Sequence, residues 1–305
     1  MKPQVIFVPI STNPCKAWRA LLVLCAAAFS FLVPNTGAAQ VDAPGVPMTI
    51  PGIDIAGIGK VGETPGRFAM SDAAVKAPAV LILHGAGGVD GRGAFYATAL
   101  QKAGIATLEI TMFPPGMAPE APRLSLPHAV AALKWLASQP NVDAQRLGVM
   151  GFSFGGVISL FLASELVQER VGKDVPKPAA FAPFYPLCAY TALMWALPQN
   201  PFHNAHARMG ASPMLIQVGT RDDYEDSERA CDAFVASWPL AARERVTVRH
   251  VEGATHSFDV AKAMQFYDRT AQAGRGGMVN ITPSPKDAAE SREATVRFFV
   301  KYLNP

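Results

Sequence analysis

The segment Gly151-Phe152-Ser153-Phe154-Gly155 sets a serine between two glycines, each two residues away, and Gly156 adds a third. A serine on a tight strand-to-helix turn sits in a strained conformation, and side chains two residues to either side would collide. Glycine removes the collision, and the turn lifts the hydroxyl above the sheet edge as a nucleophile. The helix that follows aims its N-terminus at the same point, which favours negative charge there.

A serine hydroxyl attacks poorly until a base takes its proton. Of the six histidines, His256 is best placed. It lies in the small-residue loop Gly253-Ala254-Thr255-His256-Ser257-Phe258, just past an apolar run ending at Val251. His250 falls inside that run and His128 opens a helix. His203 and His206 have no nearby carboxylate or cysteine to complete a metal site, so they read as loop residues. The base in turn needs an acid to hold its tautomer. Gly219-Thr220-Arg221-Asp222-Asp223 follows another apolar run and offers either Asp222 or Asp223. Asp222 is favoured, and Glu225 and Asp226 are more distant reserves. Finally, His84-Gly85-Ala86-Gly87-Gly88 is a small-residue turn whose backbone N–H groups are free to converge on an oxyanion. The N–H groups of Phe154 and of Ala86 or a neighbour are the expected donors.

These four segments are useful only if one scaffold brings them to one edge. Residues 79–83, 105–110, 146–150, 179–184, 214–218 and 246–251 are short, continuous apolar runs, as strands buried on both faces require. Between them, residues 94–103, 126–138 and 157–166 show helical spacing, and residues 286–302 form a last amphipathic helix. Alternation at this interval predicts an α/β fold with a mostly parallel central sheet and helices on both faces. Each candidate residue then follows the carboxyl end of a strand. Residues 40–65, rich in proline and glycine, predict edge strands or an arm. Residues 191–210 are the least regular, and with the Pro- and Met-containing loop 112–122 they are candidates to face substrate. Phe152, Phe154, Phe184 and Met112 are candidate pocket walls.

With these motifs in the order serine, aspartate, histidine, the chain resembles the dienelactone hydrolase family of α/β-hydrolases, from about residue 79 to 302. The resemblance implies a single domain, residues 40–305, that opens esters or lactones with no cofactor and no metal. Dienelactone hydrolases proper carry cysteine where this chain has Ser153, so the narrow dienelactone specificity does not transfer. The chain is more similar to serine-bearing, exported relatives. A serine peptidase or amidase of the same fold is an alternative, but the paired acid and accessory domain that it needs are not evident. An idle hydrolase-fold binding protein is another, although such proteins commonly lose a triad member and all three candidates are present here.

Composition sets the remaining bounds. The chain has 305 residues, half of them hydrophobic and 17% charged, which rules out a disordered chain. A net charge of +3 without a dense basic cluster leaves nucleic acid no electrostatic footprint. Lys2, Lys16 and Arg19 precede an apolar run over residues 20–33, and Gly37-Ala38-Ala39 follows. That run is short for a bilayer core of about 30 Å and suits a signal peptide over residues 1–39, cut after Ala39. The mature protein is then expected in the periplasm or outside the cell, with no stable membrane insertion and a small ester or lactone as its partner. Removal of the leader leaves Cys188 and Cys231 as an even pair in an oxidising compartment. A disulfide between them is favoured over two buried thiols.

Overall fold

A computed structural model describes residues 44–71, 76–119 and 121–303 of the chain. The leader expected over residues 1–39, its cleavage point and the start of the expected domain at residue 40 lie outside the described residues. Four N-terminal strands come first: β1 (Val46–Ile50), β2 (Ile53–Ile55), β3 (Gly59–Val61) and β4 (Thr64–Ala69). β5 (Ala77–Leu83), helix α1 (Arg92–Lys102), β6 (Ala106–Ile110), α2 (Leu126–Ser138), β7 (Val142–Phe152) and α3 (Phe154–Ala163) follow. Then come α4 (Glu165–Val171), β8 (Ala180–Phe184), α5 (Cys188–Ala196), β9 (Met214–Arg221), α6 (Ala230–Ala236), α7 (Leu240–Arg243) and β10 (Val246–Thr255). The hairpin β11 (Met264–Asp268) and β12 (Gly277–Ile281) encloses the single turn α8 (Ala271–Gly274), and α9 (Pro285–Leu303) closes the chain.

Eight strands form one sheet in the order β1-β4-β6-β5-β7-β8-β9-β10. The pairings from β6 through β10 are parallel, and only β1 and β4 run antiparallel to their neighbours. This is the mostly parallel α/β sheet that the alternating runs predicted, in the α/β-hydrolase architecture that the resemblance implied. The strand period of two divides the core between the faces. In β5, Ala79, Leu81 and Leu83 belong to the core shared with α2 and α3, whereas Val80 and Ile82 belong to the core of the other face, shared with α1 and α9. Every residue of β5 is buried, which explains why the run carries no polar alternation.

Close helix approach depends on small residues in the strands. A Cβ on Gly148 of β7 would sit 2.6 Å from the ring of Phe299. That ring is completely buried under the sheet, and truncating it would cost about 3–5 kcal/mol.

One expectation needs correction. Residues 191–210 are not irregular throughout: their first part continues α5, which Cys188 begins and a disulfide to Cys231 on α6 ties down. The β11–β12 hairpin has a weak signature in the sequence, because β11 is exposed along nearly its whole length and only β12 alternates, with Val279 and Ile281 buried. Among the described residues, no helix is long and apolar enough to cross a membrane.

Candidate active site

β7 runs straight into Ser153, whose backbone adopts φ 50° and ψ −109° before α3 begins. Such a conformation is costly for a residue with a side chain and persists only where the surroundings enforce it. Here the Ser153 N–H donates to the Phe184 carbonyl of β8, 3.0 Å away, and the glycines clear the turn. A Cβ on Gly151 would lie 2.2 Å from the Gly155 carbonyl oxygen, and one on Gly155 would lie 2.3 Å from that of Leu83.

The loop after β10 brings in His256, which is 2% exposed. Its Nε2 lies 2.9 Å from Ser153 Oγ, and its Nδ1 lies 2.8 Å from Asp222 Oδ2. A carboxylate can only accept, so Nδ1 carries the proton and Nε2 is free to take one from the hydroxyl. The other carboxylate oxygen of Asp222 accepts the Tyr224 N–H at 2.9 Å. Asp223, the rival acid, instead accepts the backbone and side-chain N–H groups of Asn280 on β12. Glu225 is also turned away, accepting the N–H groups of Cys188 and Ala189 at the start of α5. Burial, with Asp222 adding repulsion, pushes its carboxyl up to about 8.

The turn after β5 is held from behind. His84 Nε2 accepts the Met112 N–H at 2.9 Å, which leaves Nδ1 to donate to the Gly85 carbonyl at 2.7 Å. Burial lowers the pKa of His84, consistent with a neutral ring making both bonds. Gly88 closes the turn by donating to Gly85, so the Ala86 N–H is not spent on it. Phe154 is the first residue of α3, where N–H groups have no acceptor within the helix.

Ser153, Ala86 and Phe154 share a cavity of about 410 Å³ with the rings of Tyr190, Trp195 and Tyr224. Of the four expected wall residues only Phe154 lines it. Phe152 and Phe184 are buried in the core on the α1–α9 side of the sheet, and Met112 is buried where its N–H serves His84. The loop 112–122 and the segment 191–200 do contribute walls, through residues such as Ala118, Pro122 and Met194.

A buried network beneath the site had no counterpart among the motifs. Arg92, 8% exposed, binds Asp90 through two nitrogens and donates to Tyr185 Oη and Ser257 Oγ. Tyr185 and Tyr96 both donate to Asp259, whose side chain is wholly buried. The edge of Tyr185 meets the His256 ring, with centroids 4.7 Å apart. The network therefore ties α1, the end of β8 and the histidine loop together. Apart from the Asp90–Arg92 pair, these partners come from distant positions and show no local pattern, so periodicity could not find them.

Residues 116–303 match the model of the dienelactone hydrolase family. No curated protein sequence matches the chain. Esterase 2 of Thermogutta terrifontis, phosphorylated by paraoxon, superposes with a TM-score of 0.61 at 17% identity, covering 87% of this chain and 97% of that one. The same esterase in its butyrate-bound form gives a TM-score of 0.56 at 17% identity, covering 79% and 90%. A dienelactone hydrolase-like promiscuous phosphotriesterase from metagenomic libraries gives 0.56 at 20% identity, covering 84% of this chain and 98% of that one. At these identities the superpositions speak for the fold.

Proposed function

The chain belongs to the dienelactone hydrolase family, and on that premise we propose that it is a serine hydrolase cleaving carboxylic esters or lactones through an acyl-enzyme intermediate. One observation carries the reading. His256 bridges Ser153 Oγ and the Asp222 carboxylate, at 2.9 and 2.8 Å, where the serine opens into the cavity.

In the proposed reaction His256 Nε2 takes the Ser153 proton as Oγ attacks the ester carbonyl. The oxyanion of the tetrahedral intermediate accepts hydrogen bonds from the N–H groups of Phe154 and Ala86. As the C–O bond to the alcohol breaks, His256 returns the proton to the leaving oxygen. Water, deprotonated by the same nitrogen, then attacks the acyl carbon and releases the acid and free Ser153. Asp222 holds the tautomer and stabilises the imidazolium throughout. None of these steps calls on a cofactor.

Butyrate binding by the Thermogutta esterase, together with the modest cavity here, favours short acyl groups. The leader read over residues 1–39 makes this a periplasmic or secreted activity. Hydrolysis of p-nitrophenyl acetate and butyrate by the wild type, lost in Ser153→Ala, is the expected result. Paraoxon should inactivate the enzyme and add its phosphoryl group to the peptide containing Ser153. An unlabelled Ser153 in the folded protein, with no ester turned over, would sink the proposal and favour an idle binding protein. N-terminal sequencing of the exported protein should begin at Gln40, and an intact residue 1 would refute the leader.

A further inference from the structure

The cavity that holds Ser153 is mainly apolar and aromatic, yet Asp268, at the end of β11, lines it with a carboxylate. Its Oδ1 accepts the backbone N–H and the hydroxyl of Thr270, and its Oδ2 accepts the Tyr224 hydroxyl at 2.7 Å. A carboxylate has about four acceptor positions, so one remains open. Partial burial works to raise the Asp268 pKa, but these donors and the nearby His256 outweigh it and hold the group below the usual range. The side chain is thus a negative charge with no Lys, Arg or His within ion-pair distance among the described residues. Arg123 lines the same cavity but makes no ion pair with it.

These donors keep Asp268 ionised, and its remaining acceptor position borders a mainly apolar cavity, where a cation would be attracted to it. The rings next to Asp268 are Tyr224, which bonds to it, and Tyr190, whose own pKa is raised by burial and by the Asp268 charge, with the Arg269 cation working the other way. Aromatic faces attract cations through the ring quadrupole, and a carboxylate among them strengthens the attraction. We propose that Asp268, Tyr190 and Tyr224 form a subsite for a cationic nitrogen, so that the esters this enzyme prefers carry an ammonium group in the alcohol or acyl part. The inference deepens the esterase reading and rests on it for turnover, but the subsite itself can be tested by binding.

The test compares butyrylcholine with 3,3-dimethylbutyl butyrate, its uncharged isostere, on the wild type and Asp268→Asn. The wild type should favour the cationic ester in kcat/KM by roughly tenfold, the order expected of one partly desolvated cation–aromatic contact. Asp268→Asn should bring the ratio close to one. Any loss transmitted through Tyr224 to the triad affects both esters and cancels in the ratio. A ratio near one in the wild type, or one that survives in Asp268→Asn, would overturn the proposal. So would a preference for a succinate monoester that disappears in Arg123→Ala. Calorimetry with tetraethylammonium covers the case in which neither ester is hydrolysed. Binding at about 1 mM or tighter, lost in Asp268→Asn, supports the subsite even if the esterase reading fails. No binding to the wild type refutes it.

Discussion

The ring of Tyr224 lies against the imidazole of His256, with centroids 4.4 Å apart and planes tilted by 53°. The same residue donates its backbone N–H to Asp222 and its hydroxyl to Asp268. It therefore braces both Asp222 and His256, from one position two residues after Asp222. Tyr224→Phe keeps the ring and the N–H, and its kcat for a neutral ester should stay within about threefold of wild type, since one part-buried hydroxyl bond contributes only about 1 kcal/mol. Tyr224→Ala removes the brace and should lower kcat by about tenfold or more, because small misplacement of a catalytic group is costly. Steady-state kinetics on both variants decide it, and equal effects would refute the bracing role.

Adjacent aspartates should behave oppositely. Asp222→Asn leaves a side chain of the same shape but disturbs the imidazole tautomer, and kcat should fall by about 10³- to 10⁴-fold. Asp223→Asn weakens the bonds to Asn280 that hold the hairpin. Its kcat should stay near wild type while unfolding becomes easier by about 1 kcal/mol. Urea titration and initial rates measure both quantities, and the reverse pattern would move the acid to Asp223.

Two glycines of the motifs differ in what surrounds them. Gly155→Ala would press a methyl against the Leu83 and His84 carbonyls, the nearer at 2.3 Å, and should cost about 3 kcal/mol or more. A Cβ on Gly87, in the exposed turn, would meet nothing within 4 Å, and Gly87→Ala should alter stability by no more than about 0.5 kcal/mol. Denaturant midpoints test the contrast, and similar losses at both sites would contradict the geometry.

Stability should fall as pH rises through neutrality. Burial, with repulsion from Asp90, pushes Glu109 up to about 7, and burial with Asp222 pushes Glu225 up to about 8. Both exceed the value of 4.5 for an unperturbed glutamate, so between these values the folded state keeps protons that the unfolded chain has lost. By linkage each carboxyl then removes up to about 1.4 kcal/mol of stability per pH unit, from about pH 5 to its folded value. Glu109→Gln should flatten the slope between about pH 5 and 7. Unfolding free energies across that range check the sign, and an unchanged slope in the variant would remove Glu109 as a cause.

The four chemical segments were legible because each combines a residue type with a local steric demand. Glycines around Ser153, small residues around His256 and the turn at residues 84–88 leave a mark within a few adjacent positions. The strands were equally plain, since burial on both faces demands continuous apolar runs. The choice between Asp222 and Asp223 was not legible, because two neighbouring carboxylates present the same chemistry until the chain direction at the end of β9 assigns one to His256 and the other to Asn280.

Order and local shape thus belong to the sequence: which turn bears Ser153, which loops carry His256 and Asp222, and that all follow strand ends. The tertiary structure alone decided what surrounds them. The network of Arg92, Tyr96, Tyr185 and Asp259 joins residues as distant as Tyr96 and Asp259, 163 positions apart. The hairpin that brings Asp268 into the cavity is held by bonds to the loop of Asp223 and Tyr224. Such contacts depend on distances set by the packed sheet as a whole, and no stretch of adjacent residues encodes them.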